Sequence, residues 1–333
     1  MSSKTMKIPG RGSQSAILMI LDPLDKLDPE TDTSLALARE FLQRGYSVRA
    51  ADVQDLFLER SDLRVRSAPL ALKNNSLISG KPSQHSVRFF KLIVIRKEPP
   101  FDESYLAMTY MLSTPFCQGC FISNSPHGIR STNEKMSIHL FPELIPPTLT
   151  CSNHLEILSF QRRLRSDLVI KPLGEKGGKG IFRLRRASLG GKEALRRATR
   201  FGRKTLQAQV FIGSRNSASE KRVLLLEGEL LGVFEKRARP GEFRANLSLG
   251  ATIHRTRLTK KEVSLIKEVG SYSKQAGLHL VGIDVLHEKL IEINVTCPSG
   301  LLDLKLLYPS TEPVRAWADS LVRSAGLEHP DYR

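Results

Sequence analysis

The sequence predicts an open, mostly parallel β/α domain followed by an α+β region, and three observations carry that prediction. Apolar runs and helical periods alternate over the first 130 residues. Near residue 175 a strand, a glycine-rich loop and a second strand break the alternation. Further on, an apolar hairpin and two apolar strands near the C-terminus complete the pattern.

The elements follow in order. Ala16-Ile17-Leu18-Met19-Ile20-Leu21 is a continuous apolar run ending at Asp22-Pro23, as a strand buried on both faces would read. Leu35, Leu37, Ala38, Phe41 and Leu42 recur at helical spacing over 33–44, and Gly45 stops the helix. Residues 46–50 and 91–96 are further strands, Asp102 caps a helix reaching Leu112, and 121–124 is a fourth strand. Residues 61–88 show little periodicity and are expected to form a strand-poor surface excursion. Open sheets of this kind bind ligands at the carboxyl ends of their strands, where Asp22, Arg96 and Asn124 fall.

A helix is expected from Ser131, with Pro142, Pro146 and Pro147 marking a boundary after it. Residues 153–165 and 191–201 read as helices flanking the strand–loop–strand of 167–185. The run 206–212 reads as a strand leading into the final domain. Residues 222–227 and 229–236 form a hairpin around Glu227-Gly228. Residues 239–246 are polar and turn-rich, hence a mobile loop. Thr259 caps a helix through Ala276, which Gly277 ends. The expected organisation is a flexible basic tail (1–15), an N-terminal domain (16–130), a small subdomain (131–205) and a C-terminal subdomain (206–333).

Two places carry chemistry. Glu292 and Asn294, two apart on a strand, point the same way, and Asp284 ends the apolar run before them. Carboxylate and carboxamide oxygens on neighbouring strands suit a hard cation such as Mg2+ held with nucleotide phosphates. Upstream, the strand 169–173 ends in Lys171-Pro172 and enters Gly174-Glu175-Lys176-Gly177-Gly178-Lys179-Gly180. Glycines let backbone N–H groups close around an anion, and the lysine supplies a point charge. The loop is not a Walker loop, because it lacks the G-x-x-x-x-G-K pattern and leads into a strand.

Composition narrows the class. No run approaches the roughly 18–20 apolar residues of a membrane span. The polar tail lacks the apolar core of a signal peptide, and four cysteines in 333 residues are no disulfide framework. A cytoplasmic protein is expected. Cys117-Gln118-Gly119-Cys120 lacks matching zinc ligands and leads into a strand, so chance is its better explanation. The formal charge is +17, and fifteen Lys and Arg between Arg162 and Lys204 face three acids. Part of that field should attract anionic ligands, while Arg196, Arg197, Arg200 and Arg203 line a solvated helix face. Only Phe201 interleaves with them and no binding motif appears, which disfavours nucleic acid.

Several blocks together resemble the prokaryotic glutathione synthetase family within the ATP-grasp ligases. They are Arg96-Lys97-Glu98-Pro99-Pro100-Phe101-Asp102, Asn133-Glu134-Lys135, Ile170-Lys171-Pro172-Leu173 and Lys221-Arg222-Val223. Arg244-Ala245-Asn246-Leu247 and Val281-Gly282-Ile283-Asp284 with Glu292-Ile293-Asn294-Val295-Thr296 complete the set, in the family's order. The resemblance implies an ATP-grasp fold behind the N-terminal domain, with 131–205 as its lid. It also implies ATP-dependent ligation of γ-glutamylcysteine to glycine through an acyl phosphate, giving glutathione, ADP and phosphate. No enzyme nucleophile is needed, so catalysis is positioning and charge neutralisation.

The resemblance further implies roles. Lys135 and Lys171 would hold the ATP phosphates under Gly177 and Gly178, and Gln209, Val210, Phe211 and Ile212 would form the adenine strand. Asp284, Glu292 and Asn294 would hold two Mg2+ ions, with Mn2+ as a possible substitute. Arg222 would face the acyl phosphate and its oxyanion, and Arg244 and Asn246 would belong to a loop closing over it. Asp22, Arg96 and Ser299 would contact the peptide substrate. A homo-oligomer is the expected assembly. The chain departs from the family at Gly174-Glu175-Lys176, at Gly250-Ala251 and at Cys297, which bears on loop closure and acceptor choice. Competing readings are an ATP-grasp ligase for another dipeptide or a protein, and a non-catalytic basic module binding RNA or an acidic partner.

Overall fold

A computed structural model describes residues 16–74, 76–186, 190–213 and 219–328. The expected tail of residues 1–15 lies outside them. The described residues divide into two compact units, one within 16–98, 107–126 and 314–328, the other within 99–106 and 127–313.

The first unit is built on an eight-stranded sheet. Its central strand, Ala16–Leu21, is buried at every position, as its unbroken apolar run requires. It runs parallel to Ser47–Ala51 and Phe90–Arg96, and the latter is parallel to Phe121–Ser123. The helix Thr33–Gln43 starts where the Asp32 side chain accepts from Leu35 N at 2.9 Å. Residues 61–88 are not strand-poor: Asp62–Lys73 is a twelve-residue strand that pairs with Leu56–Glu59, Ser76–Ser79 and Ser83–Ser86. Its alternation, with Leu63, Val65 and Ser67 buried between polar neighbours, was the signal, broken by Pro69. The helix Pro313–Ser324 packs Trp317, Ala318 and Leu321 into the core. Residues 314–328 thus group with this unit, whereas the expectation set them within a 206–333 subdomain.

The second unit holds two antiparallel sheets. One is four-stranded, in the order Phe182–Leu184, Leu168–Pro172, Leu206–Val210, Thr148–Cys151. The helices His154–Leu164 and Gly191–Ala198 close its core through Ile157, Phe160 and Leu195, packed with Ile170 and Ala208. Leu206–Val210 is therefore a lid strand, and the expected boundary at 205/206 falls inside this sheet. The other sheet is five-stranded, in the order Thr252–Arg255, Glu229–Arg237, Ser219–Leu226, Leu280–Leu286, Lys289–Asn294. Its hairpin turns at Glu227 (φ 53°) and Gly228 (φ 83°), the two positive φ values that a tight hairpin demands. The helix Lys260–Gln275 opens with a Thr259–Glu262 capping box and buries Leu265, Ile266 and Val269.

The expected helix from Ser131 is absent, because Pro126–Ser131 ends there. Asn133 Oδ1 accepts instead from Lys135 N at 3.1 Å and Met136 N at 3.0 Å, and this local turn displaces the helix. Among the described residues no helix is long and apolar enough to cross a membrane.

Candidate active site

One cavity of the second unit, about 970 Å³ including its open mouth, gathers most of the residues singled out in the sequence. The lid sheet contributes Lys171, Gln209 and Val210, with Phe211 and Ile212 just beyond. The loop after Pro172 contributes Gly177 and Gly178, and the five-stranded sheet Arg222, Asp284, Glu292 and Asn294. Lys135 enters from its turn, and Arg244 and Asn246 from the covering loop. Asp22, Arg96 and Ser299 do not line it.

Strand register explains the floor. Asp284 stands opposite both Arg222 and Glu292, and Gly282 opposite Asn294, so these side chains share one face. Arg222 grips Asp284 with two bonds, Nε to Oδ1 at 2.9 Å and Nη2 to Oδ2 at 3.1 Å. Gly282 makes room for that grip, since a Cβ there would lie 2.8 Å from Arg222 Nη1. Burial alone would raise the Asp284 carboxyl, but Arg222 and then Lys236 overcome it and hold it at about 2. Asn294 donates through Nδ2 to Gly282 O at 3.2 Å and Asp284 Oδ2 at 3.1 Å, which leaves Oδ1 for a cation.

The two lysines differ. Lys135 Nζ pairs with Glu292 Oε1 at 2.9 Å and donates to Glu175 O at 2.8 Å. Burial would depress it, yet Glu292 outweighs that and holds it above the ordinary lysine value. Lys171 Nζ donates to the neutral Gln209 Oε1 at 2.9 Å. Burial brings it down to about 8, only partly opposed by Glu292.

The covering loop touches the glycine loop. Gly177 and Gly178 have φ of 63° and 74°, a region that glycine enters freely. Arg244 Nη1 donates to Gly178 O at 3.1 Å, while its Nη2 pairs with Glu242 Oε2 at 2.8 Å. Asn246 Oδ1 accepts from Ser248 N at 3.0 Å, so its carbonyl end caps a turn. At the end of the lid strand, Val210 N and Phe211 N donate to Pro147 O and Asp167 O, both at 2.9 Å. The N–H of Ile212 has no partner among the described residues.

Sequence reasoning missed three charged residues here. Glu134 appeared only within a motif, yet its Oε1 accepts from Val295 N, Thr296 N and Thr296 Oγ1 at 3.1, 3.2 and 2.7 Å. It thereby ties the Lys135 turn to the end of the Glu292–Asn294 strand. Glu220 and Lys236 face each other across the hairpin and pair at 2.6 Å. The signal was a lysine at an inward position of a strand that otherwise alternates. A smaller cleft of about 500 Å³, lined by Phe101, Arg130, Thr132 and Asn133, shares Glu134 and Glu175 with the first.

In the first unit, Asp22 accepts from Glu98 N at 3.0 Å and pairs with Lys97 at 2.8 Å. Arg96 is buried, donates to Ser34 Oγ at 3.1 Å and lies over the Trp317 ring at 5.3 Å. Both side chains thus support their own sheet. Ser299 is exposed ahead of the helix Leu301–Leu307. Burial and the nearby Cys120 push the Cys117 thiol up to about 11, and Cys120 Sγ donates to Phe90 O at 2.9 Å. Thiols so held are poor nucleophiles.

A glycine loop over paired lysines, facing an Asp/Glu/Asn strand pair across two sheets, defines an ATP-grasp ligase. Two solved structures share the fold over 93% and 92% of this chain and 99% of each of theirs. They are the D-cycloserine synthetase DcsG (TM-score 0.65, 14% identity) and the macrocyclase MdnC of Microcystis aeruginosa (TM-score 0.62, 16%). The patterns of the prokaryotic glutathione synthetase N-terminal domain and ATP-grasp domain match residues 16–130 and 134–308. The glutathione synthetase of Parasynechococcus marenigrum is 33% identical over 290 residues, 87% of this chain and 94% of that one. That of Nitrosomonas europaea is 34% identical over 295 residues, 86% and 92% of the two chains. The chain belongs to the prokaryotic glutathione synthetase family and is an ATP-dependent ligase with glutathione synthetase activity.

Proposed function

We propose that the cavity joins γ-glutamylcysteine to glycine in two steps. A carboxylate oxygen of the dipeptide attacks the γ-phosphorus of ATP, and ADP departs. The amine of glycine then attacks the acyl carbon, loses a proton and expels phosphate. The observation that carries this reading is the convergence of Lys135 and Lys171 with Glu292 and Asn294 under Gly177 and Gly178.

Lys171 and Lys135 bind the phosphates from the lid side and the floor side, and the glycine N–H groups cover them. Ile212 offers the main-chain donor for adenine. Glu292 and Asn294 are the residues that fit Mg2+, which supplies charge neutralisation on the transferring phosphoryl group when bound. Arg222 keeps a guanidinium beside the reacting carboxylate while orienting Asp284. Arg244 holds the covering loop on the glycine loop and so excludes water from the acyl phosphate. The dipeptide enters through the smaller cleft, whose sharing of Glu134 and Glu175 supports that route. Free thiols at all four cysteines support a cytoplasmic setting.

The test is phosphate release by purified protein with ATP and Mg2+. Release is expected only when γ-glutamylcysteine and glycine are both present. Release with another amine acceptor and none with glycine would reject the substrate assignment.

A further inference from the structure

Lys236 lines the cavity, and the reaction above gives it no step. Its strand is separated from Leu280–Leu286 by Ser219–Leu226, yet its side chain, 7% exposed, reaches past that strand to Asp284. Nζ donates to Asp284 Oδ1 at 3.0 Å and pairs with Glu220 Oε1 at 2.6 Å.

The consequence lies at Asp284. Oδ1 takes Arg222 Nε and Lys236 Nζ, and Oδ2 takes Arg222 Nη2 and Asn294 Nδ2. A carboxylate offers about four lone-pair positions, and these four donors occupy them. A divalent ion needs oxygen contacts of about 2.0–2.1 Å, so it reaches Asp284 only by expelling a donor. It would also be driven against two cations already seated there. Glu292 is different: Lys135 takes Oε1, its side chain is 20% exposed, and Asn294 Oδ1 stands beside it on the same face. The floor therefore fits one divalent ion well and resists the second that the family resemblance implies.

We propose that Lys236 is a fixed cation standing where the second divalent ion would act, so that Glu292 and Asn294 load a single Mg2+ with ATP. The inference rests on the ATP–Mg2+ reading of the cavity. Lys236 and Arg222 together bring the two positive charges that a second ion would bring. Two of the three ammonium hydrogens are spent on Asp284 and Glu220, and the third remains for a phosphate oxygen. Lys236 then serves as a positioning residue through Asp284 and as a charge toward the triphosphate.

The test counts bound Mn2+ by electron paramagnetic resonance on the full chain with a non-hydrolysable ATP analogue, a measurement independent of turnover. One ion per chain is expected for the unmodified protein and for Lys236→Arg, and two for Lys236→Ala. Should Lys236→Ala fail to fold, Lys236→Met keeps the packed stem and takes its place. Two ions in the unmodified protein, or one in the neutral variant, overturns the inference and leaves the ligase reading standing. No nucleotide-dependent Mn2+ in any of them overturns the nucleotide–metal site and this inference with it. In a parallel activity titration, the neutral variant is expected to need free Mg2+ beyond that bound as MgATP, and the unmodified protein to need none.

Discussion

Lys135 and Lys171 face one cavity from its two sides in opposite electrostatic states. On the floor, Lys135 sits against Glu292, while Arg222 and Lys236 sit against Asp284 and Glu220, so positive and negative charge are matched before any ligand arrives. On the lid, Lys171 is buried against a neutral carboxamide, and burial holds it near 8, with Glu292 opposing only in part. The floor is pre-organised at the expense of internal ion pairs. The lid carries an unpaid charge that only an anionic ligand relieves. Binding a triphosphate should therefore change the lid lysine far more than the floor lysine.

The strongest way to break the comparison is to remove the floor's charge balance. Glu292→Gln leaves a near-isosteric side chain but deprives both Lys135 and the cation of their carboxylate. Turnover is expected to fall by about 10²–10³-fold or more, the scale for losing a preorganised electrostatic group. The melting temperature should fall measurably as well, because the Lys135 ammonium, only 3% exposed, loses its paired carboxylate. Phosphate release and a thermal melt of the same preparation check it. Near-normal turnover would remove Glu292 from the metal site.

A second experiment sharpens the contrast through pH. Lys171 has a folded value of about 8 against an ordinary 10.5, so between those values the unfolded chain binds more protons. The stability of the ligand-free protein should therefore rise with pH across that window. Phosphates raise the lysine again, so ATP binding takes up a proton above pH 8. Affinity for ATP is expected to be flat below about pH 8 and to weaken by up to about tenfold per pH unit above it. Lys171→Arg, charged throughout, should flatten the profile. A slope that survives that substitution would place the proton elsewhere.

The same contrast explains what was legible in the sequence. The Asp284, Glu292 and Lys171 positions stood out because each ends or interrupts an apolar run, and a charge there needs a reason. Lys236 and Glu220 did not, since a charge inside a polar–apolar hairpin reads as the solvent side of an alternating strand. Lys236 falls two residues after the buried Phe234 and so on the inward face, and the register sets Glu220 opposite it. Leu206–Val210 was placed in the wrong subdomain for a related reason. Its partners are Leu168–Pro172 and Thr148–Cys151, and antiparallel neighbours so far apart in sequence leave no local mark. At residues 61–88 the alternation of Leu63, Val65 and Ser67 was present but ran into Pro69, which weakens a strand assignment though an antiparallel sheet accepts it here opposite Arg49. The helix expected from Ser131 lost to a side-chain bond of Asn133, a competition that hydrophobic period cannot register.

The smallest expected effect tests whether the lid side stays loose by design. Arg244 is the contact between covering loop and glycine loop, and Glu242 orients it with bonds to Nε at 3.0 Å and Nη2 at 2.8 Å. Those bonds from Arg244 hold the Glu242 carboxyl down at about 2, so the pair persists across any assay pH. Glu242→Gln keeps the shape and removes the charge. A partly exposed pair of this kind is worth on the order of 1 kcal/mol or less, so loop closure should weaken by less than about tenfold. A less firmly closed loop admits water to the acyl phosphate. ATP consumption per ligated product should then rise above one by a few-fold, while the KM for ATP stays within about twofold because the phosphates are held by the lysines. Measuring phosphate and peptide product in the same reaction separates the two. A strict one-to-one ratio in the variant would show that closure does not depend on this arginine's orientation, and that the lid is held as firmly as the floor.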